Sequence, residues 1–230
     1  ITILNTYGAD STRLYLLGSN FLKAEPVPID KEGKLIYETT KNILSPLWNA
    51  YHFFTLYANA SNITAKPLLE SEDILDKYII EELNLLEETV HYSVSNYKPD
   101  IAIREFIKFL DILNNWYIRR NRERFWNEEQ KAFDVLNRVL IDFCKLLAPF
   151  APFISEYIYK NLVGTSVFFE RFDLNKKYYK TNLLDDMRTV QMIISTGKLI
   201  REKYKLRNRL PLPKITIIGK NIKEYSKIIS

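Results

Sequence analysis

Residues 99–126 read PDIAIREFIKFLDILNNWYIRRNRERFW, and this stretch decides the fold more than any other. Its apolar side chains recur every three or four positions, which is the spacing of one face of an α-helix. These positions are Ile103, Phe106, Ile107, Leu110 and Tyr117. Pro99 suits the first turn of a helix, where its missing N–H costs nothing, and Asp100 complements the positive helix end. The pattern predicts one long helix that ends near Phe125.

Similar patterns on both sides predict that the rest of the chain is also largely helical. We expect further helices at about residues 7–19, 34–60, 71–96, 128–147, 153–162 and 184–204. Pro46 lies within the second of these and predicts a kink or a division there. Two short apolar stretches, 166–172 and 215–218, are candidate strands, although the first would also suit an extended tail. The predicted fold class is all-α, a bundle of four or five helices with a small α+β appendage at the C-terminus.

The composition is ordinary for a globular protein and argues against several kinds of site. Of 230 residues, 47% are hydrophobic and only 6 are glycine, which favours helices over a turn-rich sheet fold. Cys144 is the only cysteine, so no internal disulfide is expected and a reducing compartment is the simpler interpretation. Together with His52 and His91 it cannot build the usual zinc site, and we expect no metal ligands. No apolar run is long enough to span a membrane.

Catalytic patterns are likewise missing from the sequence. There is no glycine-rich phosphate loop and no Ser/His/Asp grouping, so we expect no catalytic residue and no cofactor in this chain. The net charge of +5 is compatible with a polyanionic partner, but many basic proteins bind no nucleic acid. The sequence therefore indicates a binding role, and the charge alone does not identify the partner.

A first basic cluster closes the long predicted helix. It comprises Arg119, Arg120, Asn121, Arg122 and Arg124. Guanidinium groups bind phosphate through paired hydrogen bonds and stack on bases, so arginines beside Trp and Tyr suit a folded RNA. The same residues would also suit a solvated helix end whose arginines pair with carboxylates. Helical spacing leaves both interpretations open.

A second basic cluster lies at the end of the last predicted helix and in the segment just after it. It comprises Lys198, Arg201, Lys203, Lys205, Arg207 and Arg209, opposed nearby only by Glu202. Within it, the candidate RNA contacts are Lys198, Arg201, Lys205 and Arg207. A solvated tail is the alternative interpretation.

Five stretches, in order, resemble one enzyme family. Residues 116–126, WYIRRNRERFW, resemble the signature that follows the long helix of the anticodon-binding domain in isoleucyl-tRNA synthetases, which are class I enzymes. The other four are YGADSTRLYLL at 7–17, LAPFAPFISEYIY at 147–159, SVFFERF at 166–172 and KLIREKYKLRNRLPL at 198–212. Phe168 stands where the family more often has His, and Asn208-Arg209-Leu210-Pro211 departs from its usual turn.

The resemblance implies a domain order and a parent enzyme. Residues 1–30 would link to a catalytic domain, 31–165 would form the helical-bundle anticodon-binding domain of class I synthetases, and 166–230 would be an extended segment and the start of a C-terminal region. The parent would attach isoleucine to its tRNA in the cytoplasm, with ATP and magnesium. No HIGH-type and no KMSKS-type sequence occurs here, so we expect a fragment, starting at Ile1, that is inactive alone.

The resemblance also implies partners and contacts. We expect isoleucine tRNA and the catalytic domain of the same chain as partners, in a monomer that contacts no membrane. The arginines of the first basic cluster would contact phosphates, with Asn121 as a base reader, while Trp116 and Tyr117 would hold the helix in the core. Two alternatives stay open: the equivalent domain of a valine or methionine synthetase, and a helical protein-interaction module with no RNA role.

Overall fold

The chain divides into two compact units, Ile1–Tyr178 and Tyr179–Ser230. In the computed structural model, the described residues are 2–23, 25–28, 33–67, 71–171, 182–207, 210–211, 214–219 and 223–229. The described residues are mainly helical and none of them forms a β-strand, so the predicted all-α fold class is confirmed.

The first unit is a bundle in which α4 packs against α5 and α7, and α7 also packs against α3 and α8. Its helices are α1 (Thr2–Gly18), α2 (Lys34–Thr39), α3 (Ser45–Ala60), α4 (Ile74–Ser95), α5 (Pro99–Asp111), α6 (Arg122–Trp126), α7 (Gln130–Leu147) and α8 (Pro152–Val163). The start of α4 is capped by Asp73, whose carboxylate accepts the N–H groups of Leu75 and Asp76.

Two π-helical segments interrupt the longest helical runs. One, Thr40–Leu44, lies directly before Pro46, which occupies the first turn of α3. Proline has no N–H to donate to the preceding turn, so a local change of helical geometry at this point is expected. The other segment, Ile112–Ile118, follows α5 and leads into the first basic cluster.

Aromatic rings form the centre of the bundle. The rings of Phe109 and Phe143 are stacked with centroids 5.5 Å apart, and Phe106 meets Phe143 edge-on at 5.5 Å. The apolar face predicted from residues 99–126 is confirmed, since Phe106, Leu110 and Tyr117 are all fully buried. Burial of this face fixes which side of α5 turns toward α4 and α7.

Helix α1 is fastened to the turn between α7 and α8. The carboxylate of Asp10 accepts the N–H of Ile154 at 2.8 Å, capping the start of α8. Arg13 donates from Nη2 to the carbonyl of Pro149 at 2.9 Å. Gly8 has φ 80°, which is not helical, so a kink divides α1 at this residue. The part of α1 after the kink corresponds to the helix that the sequence predicted at about 7–19.

The second unit is smaller. It contains α9 (Leu183–Lys203), a 3₁₀ turn (Lys223–Tyr225) and α10 (Ser226–Ile229), and α10 packs against α9. The hydroxyl of Tyr225 donates to Asp186 at 3.2 Å. Burial raises the pKa of Tyr225 to about 12, with the nearby Asp186 carboxylate adding to the shift.

The described residues do not support the α+β appendage that the sequence predicted. Val167–Phe169 forms a 3₁₀ turn within the stretch 166–172, whose last residue, Phe172, lies outside the described residues. Residues 215–218 have no regular secondary structure. A short apolar stretch becomes a strand only where a second strand is available for hydrogen bonding, and the described part of the chain offers none.

Candidate nucleic-acid interface

The first basic cluster lies where the helical run from α5 stops. The π-helical segment ends at Ile118, and Asn121 leaves helical geometry with φ −91° and ψ 6° before α6 begins. A single continuous helix would have aligned Arg120 with Arg124, as the sequence suggested. The interruption instead gives the residues on its two sides different environments.

Arg119 and Arg122 are the exposed cations of this cluster. Within the described part of the chain neither forms an ion pair. Their guanidinium groups are therefore available to an external anion, which is the property that phosphate contact requires.

Arg120 is held against an aromatic ring. Its Cζ atom lies 4.1 Å from the centroid of the Trp116 ring, in cation–π geometry. Burial lowers the pKa of Arg120, and the neighbouring positive charge of Arg119 lowers it further. Arg120 thus packs along the helix while still contributing positive potential to the surface.

Arg124 points into the protein and is saturated with internal hydrogen bonds. Only 16% of its side chain is exposed. It donates from Nη1 to Asp76 Oδ1 at 2.8 Å and Asn121 Oδ1 at 3.1 Å, and from Nη2 to Asp76 Oδ2 at 2.9 Å. Its Nη2 and Nε also donate to the two carboxylate oxygens of Glu129, at 2.8 and 3.0 Å. These bonds use all five N–H groups of the guanidinium.

The charge state of Arg124 follows from the same contacts. Burial by itself would lower the pKa of Arg124, but its hydrogen bonds to Asp76 and Glu129 outweigh burial and raise the pKa above its ordinary value. The guanidinium is therefore a permanently charged internal group.

Asp76 is the buried centre of this network, with 0% of its surface exposed. Besides Arg124, it accepts the hydroxyl of Tyr117 at 2.7 Å and the hydroxyl of Ser71 at 2.8 Å. Burial raises the pKa of Tyr117 well above its usual value, and the Asp76 carboxylate raises it further, so the phenol stays a donor. A buried carboxylate that accepts four hydrogen bonds is well compensated for lost hydration.

Asn121 is also internal, with 1% of its surface exposed. Its amide donates to the carbonyl of Tyr117 at 3.1 Å and accepts from Arg124. The expectations that Asn121 reads a base and that Arg124 contacts phosphate therefore do not fit this structure. The physical reason is that the buried carboxylate of Asp76 needs a cationic partner, and Arg124 supplies it from 48 residues away.

A groove next to the exposed arginines was missed by the sequence analysis. It has a volume of about 310 Å³ and lies between α3 and α6, lined by Asn49, His52, Phe53, Leu56, Tyr57, Arg122 and Trp126. Trp126 is 60% exposed, and its indole N–H donates to the hydroxyl of Tyr57 at 3.1 Å. The ring of Phe53 lies 4.7 Å from that of Tyr57.

The groove had a signal in the sequence. The five α3 residues that line it are at positions 49, 52, 53, 56 and 57, which share one helix face beside the core stripe. Aromatic residues at helical spacing are more often core than surface, which would place Trp48, Tyr51, Phe53 and Phe54 all in the core. Only Tyr51 and Phe54 are buried there, while Phe53 is half-buried at the groove and Trp48 is exposed.

The groove combines the features that bind an unstacked base. Aromatic rings offer stacking surfaces, amide and imidazole groups can bond to base edges, and an arginine at the rim can meet the adjoining phosphate. Trp126, His52 and Arg122 supply these three functions within one concave surface.

The second basic cluster belongs to the other unit. Lys198, Lys205 and Arg207 are exposed, at the end of α9 and just after it. Arg201 donates from Nη1 to the carbonyls of Arg207 at 3.0 Å and Leu210 at 2.8 Å, which ties the turn back to the helix. Arg209 and the preceding Asn208 lie outside the described residues.

Two other kinds of feature are absent from the described residues. No group of three or more His, Cys, Asp or Glu side chains is placed to hold a metal ion there. No helix among them has the length and apolar character needed to cross a membrane.

Comparison with known sequences gives a consistent result. A family model described as the anticodon-binding domain of tRNA ligase matches residues 76–216. The chain is 34% identical to the isoleucine–tRNA ligase of Rickettsia bellii strain OSU 85-389 over its whole length, and 37% identical to that of Protochlamydia amoebophila over 91% of its length. It spans 24% and 21%, respectively, of the length of these relatives.

A solved structure shares the fold. The match is a chain from the ternary complex of Agrobacterium radiobacter K84 agnB2 LeuRS, tRNA and LeuAMS, with a TM-score of 0.56 and 22% sequence identity. It covers 76% of this chain and 21% of that one.

Proposed function

Because this chain belongs to the family of anticodon-binding domains of tRNA ligases, we propose that it binds the anticodon arm of a tRNA through the first basic cluster and the adjoining groove. The observation that carries the proposal is the position of Arg122, an exposed cation on the wall of a groove that also presents the indole of Trp126. A nucleotide bound there would place its base and its phosphate against different, suitable groups.

The phosphate contacts fall to the outward-facing cations. Arg119 and Arg122 bind backbone oxygens with two N–H groups each, and Arg120, stacked on Trp116, adds positive potential beside them. Arg124 and Asn121 take no direct part, since both are occupied inside the protein.

The base contact falls to the groove. The exposed ring of Trp126 supplies a stacking surface, and Asn49 and His52 supply polar groups for the base edge. The second basic cluster contributes further phosphate contacts through Lys198, Lys205 and Arg207, with Arg201 holding their turn.

We further propose that the whole protein is an isoleucine–tRNA ligase. The support is the 34% identity with such a ligase along all of this chain and the five ordered motifs. The whole protein would join isoleucine to its tRNA with ATP and magnesium, in the cytoplasm, as a monomer. Residues 1–30 would connect to its catalytic domain, 31–165 would form the tRNA-binding bundle, and 166–230 would open its C-terminal region.

A filter-binding titration with an isoleucine tRNA transcript tests the proposed tRNA face. The variant Arg119→Gln/Arg122→Gln removes two charges from that face, and Arg104→Gln/Lys108→Gln removes two exposed charges from α5 as a matched control. We expect the first variant to bind about tenfold more weakly or worse, with the slope of log affinity against log salt reduced by about 1.4–1.8, the value for two lost phosphate contacts.

The control should change the slope by less than half of that amount. Equal losses in the two variants would mean that the tRNA responds to net charge only, and the assigned face would be wrong. Binding of a valine tRNA as tightly as the isoleucine tRNA would count against the isoleucine assignment.

A further inference from the structure

Helix α6 carries two of the proposed tRNA-contacting side chains but is only five residues long. A single turn and a half of helix is unstable by itself, so its orientation must come from tertiary contacts. Arg122 and Trp126 are four residues apart and share the outward face of α6. Arg124 and Phe125, between them in sequence, face inward.

The two inward residues anchor α6 in different ways. Phe125 packs edge-on against Phe53 at 5.0 Å and Phe133 at 5.1 Å. Such ring contacts hold the segment in place but tolerate some rotation. Arg124 adds direction, because each of its two forks matches one carboxylate, that of Asp76 on one side and that of Glu129 on the other.

The network joins α6 to three neighbouring segments of the bundle. Asp76 lies in the first turn of α4, Tyr117 in the π-helical segment that leads to Arg119, and Glu129 directly before α7. Arg124 also holds Asn121, the residue at which the chain turns from Arg120 into α6. The positions of Arg119 and Arg122 on either side of this turn thus depend on one guanidinium.

We propose that Asp76, Glu129 and Arg124 are positioning residues that orient α6 and so align Arg119, Arg122 and the Trp126 groove for one RNA. The inference rests on the proposed function. Buried ion pairs often add little net stability compared with apolar residues of similar shape. The main effect of the Arg124–Asp76 pair is therefore to fix the orientation of α6. Lysine could replace the charge of Arg124 but not its two planar forks.

The proposal is tested by whether tRNA affinity rises or falls when the negative charge of Glu129 is removed. Glu128 and Glu129 are adjacent, and removing either negative charge should by electrostatics alone strengthen RNA binding. Glu129 holds Arg124, whereas Glu128 is exposed and, in the described residues, forms no ion pair. We expect Glu129→Gln to weaken isoleucine tRNA binding by about fivefold, comparable to the loss of one phosphate contact, and Glu128→Gln to leave it unchanged or tighter.

Two further measurements separate positioning from folding. Circular dichroism at the binding temperature should show both variants fully folded, while hydrogen exchange of the amides of residues 122–127 should accelerate in Glu129→Gln only. Arg124→Lys keeps the charge and should weaken binding about tenfold, because the contacts of the exposed arginines and of the groove are misaligned together.

The outcomes distinguish this inference from the proposed function. If Arg119→Gln/Arg122→Gln binds more weakly while Glu129→Gln and Glu128→Gln tighten equally, the tRNA face stands and the positioning role is wrong. If Glu129→Gln tightens binding more than Glu128→Gln, the released Arg124 contacts the RNA directly, which also overturns the proposal. If Arg119→Gln/Arg122→Gln binds as the parent chain does, the proposed function fails and the inference fails with it.

Discussion

The first basic cluster follows a helical run that is enclosed by the bundle, whereas the second lies in the exposed last turns of α9 and just after them. In the first, one arginine is buried in an ion network, one is stacked on Trp116, and two face outward. In the second, Arg201 donates to two backbone carbonyls, and Lys198, Lys205 and Arg207 are exposed.

The difference shows that two clusters with similar numbers of basic residues can expose different fractions of their charge. In the first cluster, Arg124 is paired inside the protein and organises the residues around it. A groove with aromatic walls lies beside this cluster. The side chains of the second cluster must be ordered by the RNA itself, which costs conformational entropy on binding. We therefore expect the first cluster to contribute more affinity per exposed charge.

The largest expected effect concerns the network that organises the first cluster. Asp76→Ala leaves Arg124 and Tyr117 as buried groups without their carboxylate, and we expect a loss of about 3–5 kcal/mol in the free energy of unfolding. Urea denaturation followed by circular dichroism measures this loss. The matched control is Asp185→Ala in α9, which breaks an exposed pair with Arg188 and should cost at most about 0.5 kcal/mol.

A similar loss in both variants would contradict the prediction. It would mean that the Asp76 network contributes no more than a surface ion pair does. A chain that no longer folds after Asp76→Ala would agree with the prediction.

An intermediate effect is expected from the aromatic side chains that accompany each cluster. Trp126→Ala removes the stacking surface of the groove and should weaken tRNA binding by about 1–3 kcal/mol. Tyr204→Ala removes an exposed ring next to the second cluster and should change affinity by about twofold or less, since Tyr204 is not part of the groove. Titration of both variants with the same tRNA compares them, and a larger loss for Tyr204→Ala would reverse the ranking.

The smallest effect should come from charge removal in the second cluster. Lys205→Gln/Arg207→Gln should lower the slope of log affinity against log salt by at most about 0.7, the value for a single phosphate contact. The reason is that these exposed side chains would each contact a phosphate for only part of the time. The unfolding midpoint in urea should stay the same. A slope change as large as that of Arg119→Gln/Arg122→Gln would mean that the two clusters make equal numbers of phosphate contacts.

The bounds of α7 and α8 were predictable from the sequence to within a few residues, whereas the long helix predicted to end near Phe125 is interrupted at Asn121. Helix α7 was expected at 128–147 and observed as Gln130–Leu147, and α8 was expected at 153–162 and observed as Pro152–Val163. Apolar periodicity and the positions of proline are local properties, so they survive without knowledge of the tertiary contacts. The described residues of 166–172 and 215–218 form no strand, because pairing between strands is not a local property of the sequence.

The binding site was only partly predictable for the same reason. The wording of residues 116–126 marked the region and predicted contacts for Arg119, Arg120, Arg122 and Arg124 alike. The pairing of Arg124 with Asp76 joins residues 48 positions apart, and no pattern in the sequence connects them. The groove needs α3 and α6 side by side, although its α3 face could have been found from the spacing of Asn49, His52 and Phe53.

The sequence by itself determined an all-α chain of a tRNA-ligase type, with two places where positive charge concentrates. Only the tertiary structure decided which arginines face solvent, because helical spacing gives relative directions along an element but not the charge of what lies against it. A buried carboxylate on α4 turned Arg124 inward, and the interruption at Asn121 left Arg119 and Arg122 outside. Long-range electrostatic pairing thus divided one run of arginines into a buried, paired member and exposed ones.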